Sequence, residues 1–164
     1  MDIFGIPAHP FFVHVPVVLI PVAALGFALT GWRREWRRWF IVPLLALTLA
    51  GAVFSVLAAN SGEDLEERVE DNVSRAEEDR IEEHAEAGEM ARNLSLLFAA
   101  TAIGLGAVVF FDERKRVPAW APLAVYAVVV VAGAGASIGM AVAGHSGAEA
   151  VWTERVDGAG GGSD

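Results

Sequence analysis

Residues 119–143 read AWAPLAVYAVVVVAGAGASIGMAVA, twenty-five positions without an acid, a base or a histidine. Such a run is long enough to cross a bilayer as a helix, since a hydrocarbon core of about 30 Å takes about 20 helical residues. Three more runs have the same character: 11–29, 39–59 and 94–111. None contains Asp, Glu, Lys or Arg, and the only histidine inside one is His14, a turn from its start. The chain is 54% hydrophobic, with its polar residues gathered in blocks between the runs. A soluble domain scatters its charges along every helix, so this segregation specifies membrane spans. The expected fold is all-α: a four-helix transmembrane bundle forming one domain over 1–157. The Gly-rich tail, 158–164, is expected to be disordered.

Loop charge sets the orientation. Arg33, Arg34, Arg37 and Arg38 lie in the turn after the first run, and Arg114, Lys115 and Arg116 in the turn after the third. Seven of the twelve basic residues thus sit in two short loops on one side, which the positive-inside rule makes cytoplasmic. All the acidic residues except Glu35, Asp112 and Glu113 fall on the other side, with both termini. The expected setting is the cytoplasmic membrane of a prokaryote, multi-pass, with both ends outside. Met1-Asp2-Ile3-Phe4-Gly5 has no basic n-region, so a cleaved signal is not expected and the first run stays as a span. The formal charge of −9 argues against nucleic acid as a partner, and the absence of cysteine excludes thiolate ligands and disulfides.

The segment at about 63–93 reads as an outer helical stretch. Leu65, Val69, Val73 and Ala76 recur at helical spacing, Asn60-Ser61-Gly62 marks the exit of the second span, and Asn72 can end a turn. Ser74 with Glu77 is a capping-box pattern. It predicts a third helix over 75–111 whose first half stands above the bilayer. Ala76, Arg80, His84, Ala87 and Ala91 then share one stripe, which turns His84 toward the other helices.

The four histidines, His9, His14, His84 and His145, all fall on the outer side. An imidazole near a bilayer is costly and usually partnered. Judged by distance from the apolar runs, His14 and His145 match best in depth, His9 is their interfacial neighbour, and His84 stands about 15 Å higher at 1.5 Å per residue. A five-residue helical spacing puts His9 and His14 140° apart, so they share a centre only if the helix starts after His9 or starts irregularly. His145 and Glu149 share a helix face, a spacing suited to two metal ligands or to a carboxylate that orients an imidazole. Gly144 and Gly147 beside them permit close approach, and Gly135 with Gly139 makes a helix-packing surface.

HPFFVHVP at 9–16 resembles the His-Pro-x-x-Val-His-Phe-Pro opening of a widespread family of prokaryotic membrane proteins, domain of unknown function 2231. GEDLEERV at 62–69, EEHAEAGE at 82–89 and GHSGAEAVW at 144–152 are similar to the family's later elements, in the same order. The resemblance implies four helices and recurrent histidines at His9, His14, His84 and His145. Relatives stand beside cytochrome-like modules, which implies a haem or redox role. Two departures stand out: Ala148 replaces the second glycine of the closing element, and Thr153-Glu154 stands where many relatives carry a further His-Gly.

Two imidazoles at similar depth can ligate a b-type haem. The first expectation is therefore a haem b electron-transfer site drawn from His14 and His145, with His84 and His9 as the other candidates, exchanging electrons with quinol or a cytochrome-type partner on the outer side. The alternative is a non-haem zinc, copper or iron site from His14, His84, His145 and Glu149. A third is a structural or accessory subunit without a cofactor, in contact with lipid and open to homo-oligomerisation. Motifs for hydrolase or transferase chemistry are absent, and no catalytic residue is assigned.

Overall fold

The computed structural model describes residues 2–31, 33–69, 73–112, 118 and 120–160. Two strands, β1 (Asp2–Ile3) and β2 (Ile6–Pro7), form a short antiparallel hairpin ahead of four helices: α1 (His9–Thr30), α2 (Arg34–Val69), α3 (Arg75–Asp112) and α4 (Ala121–Gly160). Successive helices run antiparallel, and α1 packs on α2 and α4 while α3 packs on the same two. All four are long and apolar enough to cross a membrane.

Each helix buries one stripe. On α1 it is Pro16, Ile20, Ala23, Phe27 and Thr30; on α3, Ala87, Ala91, Ser95, Phe98, Ala102 and Leu105; on α4, Tyr126, Val129, Ala136 and Met140. Phe27 sits edge-on to both Phe98 and Tyr126, with ring centres 5.8 Å and 6.2 Å away. The opposite faces are also apolar: Val131 is 73% exposed, Val42 72% and Ile138 65%. A helix apolar all round, with its outer face uncovered, fits lipid as its solvent. Small residues let the helices approach. A Cβ at Gly133 would meet Ala24 at 2.9 Å and Phe98 at 3.0 Å, and one at Gly139 would meet the Ala91 Cα at 3.3 Å. Gly135 faces open space, so the packing glycines of α4 are Gly133 and Gly139 rather than Gly135 and Gly139. The buried hydroxyls of Thr48, Ser55, Ser61 and Ser95 donate to carbonyls three or four residues back. Each is thereby satisfied without leaving its own helix, as a water-poor interior demands.

The helices exceed the span a bilayer needs: α2 has 36 residues, α3 38 and α4 40. The charged end of α2 and the charged start of α3 meet where α1 begins, tied by Arg92 to Glu63 and Arg68 to Asp2. The start of α3 is the expected capping box, with Ser74 N–H donating to Glu77 Oε2 at 2.8 Å and Glu77 N–H to Ser74 Oγ at 3.4 Å. α2 passes unbroken through Asn60-Ser61-Gly62. α4 runs on to Gly160, so the expected disordered tail is helical over 158–160; helical hydrogen bonding carries through a stretch whose glycines suggested otherwise. Asn72, the basic turn at 114–116 and residues 161–164 lie outside the described residues. The hairpin has no counterpart among the sequence expectations. It turns at Phe4 and Gly5, both with positive φ (52° and 79°), as a tight two-residue hairpin turn requires.

Candidate functional site

The bundle end beside the hairpin brings two histidines together. His9 opens α1, directly after the fully buried Ala8, and points into the bundle because it continues the stripe of Pro16 and Ile20 back by two turns. His84 lies on the α3 stripe of Ala87 and Ala91, the face expected from the sequence. Their ring centres are 5.9 Å apart, with planes at 82°.

Each ring is fixed through Nδ1. His9 Nδ1 lies 2.9 Å from the Ala58 carbonyl of α2. A carbonyl only accepts, so Nδ1 carries a proton and Nε2 is the nitrogen left for another partner. His84 Nδ1 lies 3.1 Å from Ser146 Oγ of α4. Ser146 donates its own proton to the Ala143 carbonyl at 3.1 Å, so its oxygen accepts from His84. The two imidazoles thus share one tautomer, Nδ1–H with a free Nε2. That arrangement is the usual one for metal-ligating histidines, whose second nitrogen is held by a carbonyl or hydroxyl.

Two glycines make room for the rings. A Cβ at Gly62 would meet His9 Cε1 and Nδ1 at 3.1 Å, and one at Gly147 would meet His84 Cε1 at 2.8 Å. All four helices therefore contribute: α1 and α3 the imidazoles, α2 and α4 the acceptors and the space. His84 precedes the apolar run of α3 by ten residues. Burial lowers its pKa, the neighbouring His9 lowers it further, and the Ala143 carbonyl opposes both. The net shift favours the neutral ring, the form that donates a lone pair.

The other candidates lie elsewhere. His14 is exposed on the outer side of α1, its Nδ1 hydrogen-bonded to the Pro10 carbonyl of its own helix. His145 is 77% exposed on α4, with Nε2 3.5 Å from Glu149 Oε1. The structure pairs His9 with His84, therefore, and does not bring His14 and His145 into that pair. The physical reason is helical phase. The inward stripe of α4 continues from Met140 through Ala143 to Gly147, and His145 falls half a turn away. On α1 the helix begins at His9, so the 140° between His9 and His14 is realised in full. Sequence reasoning missed Ser146, Gly62 and the Ala58 carbonyl. Extending the small-residue stripes of α2 and α4 outward would have found the two positions where a ring fits.

Two imidazoles whose Nδ1 atoms are engaged leave Nε2 as the nitrogen that suits a borderline Lewis acid such as iron, zinc or copper. Imidazoles bound to one metal at about 2.0–2.1 Å have ring centres from roughly 5 Å apart in a bent arrangement to roughly 6.4 Å when they stand opposite each other, and 5.9 Å lies between the two. Among the described residues no group of three or more His, Cys, Asp or Glu converges.

The fold and site define a helical membrane protein with four candidate spans and an intramolecular histidine pair at one end. A family described as "Predicted membrane protein (DUF2231)" matches residues 5–160, nearly the whole chain, and the protein belongs to it. No curated protein and no solved structure matches the chain.

Proposed function

We propose that this protein is a b-type haem protein of the membrane, with His9 and His84 as its two protein ligands, passing single electrons at that end of the bundle. The observation that carries the reading is the pairing of two imidazoles from different helices, each with Nδ1 engaged and Nε2 free. A haem ligated by two histidines would take two protein ligands, whereas catalytic zinc takes three and structural zinc four. A pair of imidazoles supports the first. When bound, haem supplies a reversible one-electron couple. The chain's part is to orient: Ala58 and Ser146 fix the rotation of each ring, and the Nδ1–H bonds raise the basicity of Nε2. The arginine-rich turn at 33–38 supports a cytoplasmic placement for the opposite end. The histidine end then faces outward, where quinol or a cytochrome-type protein is the partner.

A second reading is a non-haem divalent metal on the same pair. The perpendicular rings at 5.9 Å also suit a bent arrangement about one ion, completed by water.

Absorption spectroscopy and metal analysis of detergent-purified protein, expressed with added haem, decide between them. The proposal expects a Soret band that disappears in His9→Ala and in His84→Ala and survives in His14→Ala and His145→Ala. Colourless protein carrying stoichiometric zinc or copper, lost with the same two substitutions, selects the second reading. Colourless, metal-free protein sinks both.

A further inference from the structure

The hairpin at the histidine end leaves two apolar side chains uncovered. Phe4, at its tip, is fully exposed (101%), and Ile6 beside it is 52% exposed. Exposed apolar residues such as Val42, Val131 and Ile138 lie in the spans, where lipid covers them. The hairpin has no such cover. Arg68 lies ten residues past Ala58, the α2 residue that holds His9, or about 15 Å along a helix. Its ion pair with Asp2, at 2.8 Å, draws the hairpin outward along α2, away from the apolar run that starts at Phe11. Phe4 also has a positive φ of 52°, which is costly for a bulky side chain. Asn or Gly would make the same turn with less strain, so the turn alone does not account for a phenylalanine there.

The surroundings are acidic. The stretch of α2 beside Arg68 carries Glu63, Asp64 and Glu67, all exposed. In the sequence, the segments beyond the apolar runs at this end are 1–10, 60–93 and 144–164. They hold eighteen of the twenty-one acidic residues and five of the twelve basic ones. Ion pairs such as Arg68 with Asp2 cancel within that set and leave a large acidic excess. An apolar contact point inside a field of one sign is the anatomy of an interface whose partner carries the opposite charge. The same field repels anionic phospholipid.

We propose that the hairpin tip, Phe4 with Ile6, and the acidic flank of α2 form a docking surface for a small basic protein. Phe4 enters an apolar hollow ringed by lysine or arginine on the partner, and the α2 carboxylates face that ring. The surface stands whether or not haem binds at the histidine pair, because none of its contacts involves a cofactor.

The probe is cytochrome c, a small protein whose lysines ring an apolar edge, titrated at low salt against the cofactor-free chain in phosphatidylcholine nanodiscs. Binding is expected with the native probe and not with the same probe after its lysines are acetylated. Phe4→Asn should weaken binding about tenfold, the loss of one central aromatic contact. It should unfold no earlier than wild type, because Asn tolerates a positive φ. Asp64→Asn with Glu67→Gln should also weaken binding and flatten its dependence on salt. Absence of binding, equal binding of the acetylated probe, or an unchanged affinity in Phe4→Asn overturns the proposal. Two other occupants would overturn it as well. Phe4→Cys gives the chain its single thiol; a fluorophore there that is quenched by labels in the acyl chains assigns the tip to lipid. A dimer that Phe4→Asn dissociates assigns it to a second copy of the chain.

Discussion

The His9 and His84 rings stand 5.9 Å apart at 82°, although 75 residues separate them in the chain and neither lies within an apolar run. Each is also tied to a third element, His9 to α2 and His84 to α4. The pair closes a circuit through all four helices, so disturbing one ring loosens contacts on three others.

Ser146→Ala tests the acceptor behind His84. The substitution removes the oxygen 3.1 Å from Nδ1 and adds no bulk. Net loss of one such hydrogen bond costs about 0.5–1.5 kcal/mol. A ligand on Nε2 should bind about 10- to 100-fold more weakly, since the partner that orients the ring is gone. Denaturant unfolding and ligand titration in detergent measure the two effects. If stability falls while ligand affinity stays unchanged, Ser146 has only a packing role.

Acid should destabilise the cofactor-free protein through His84. Its folded pKa lies below the unfolded value, because burial and His9 disfavour the charged ring. Near pH 6.5 the unfolded chain then binds more protons than the folded one. Stability is complete above that pH and falls as the pH drops toward the lowered folded value. Unfolding at pH 7.5 and 5.5 should show the loss, and His84→Gln should reduce it. A pH dependence identical in wild type and His84→Gln would assign the effect to other groups.

The number of helices, their apolar cores and the capping box of α3 were legible because each is written in local residues: uncharged runs and Ser74 with Glu77. His84 was also placed on the correct face, since Ala87 and Ala91 continue its stripe. The partner was not. Distance from the apolar runs estimates depth, and it matched His14 with His145; contact also requires rotational phase. On α1 that phase depends on where the helix starts, and on α4 on whether Ala143 and Gly147 or His145 faces inward. Alanine and glycine, which occupy both sides of α4, leave that phase weakly marked. The hairpin was illegible for another reason: Phe4 at φ 52° breaks the usual preference for Asn, Asp or Gly in such a turn.

Tyr126→Phe probes the other end. It deletes the hydroxyl that donates to the Phe27 carbonyl and accepts from Thr30. Thr30 can turn back to the Gly26 carbonyl, 2.8 Å away, so only the Phe27 carbonyl loses a partner. The expected loss is about 1 kcal/mol in unfolding free energy. Thr30→Val should cost no more, and a larger loss there would mean that Thr30 rather than Tyr126 organises the contact.

Glycine-to-alanine substitutions along α4 should change sign with phase. Alanine favours a helix over glycine by about 1 kcal/mol, and at Gly135 and Gly144 an added Cβ meets nothing within 4 Å. Gly135→Ala and Gly144→Ala are therefore expected to stabilise, or at worst to be neutral. At Gly147 the same Cβ would lie 2.8 Å from His84 Cε1 and 3.2 Å from Nδ1. The ring cannot retreat freely, because Ser146 holds it and His9 stands at its other side. Overpacking of this kind costs about 1–3 kcal/mol, which outweighs the helical gain, so Gly147→Ala should destabilise by about 1 kcal/mol and displace the His84 ring. Unfolding measurements on the three variants read the sign, and the histidine ring resonances report the displacement. Should Gly147→Ala stabilise as much as Gly144→Ala, then His84 does not pack against α4 at this position, and the pair with His9 loses one of its walls.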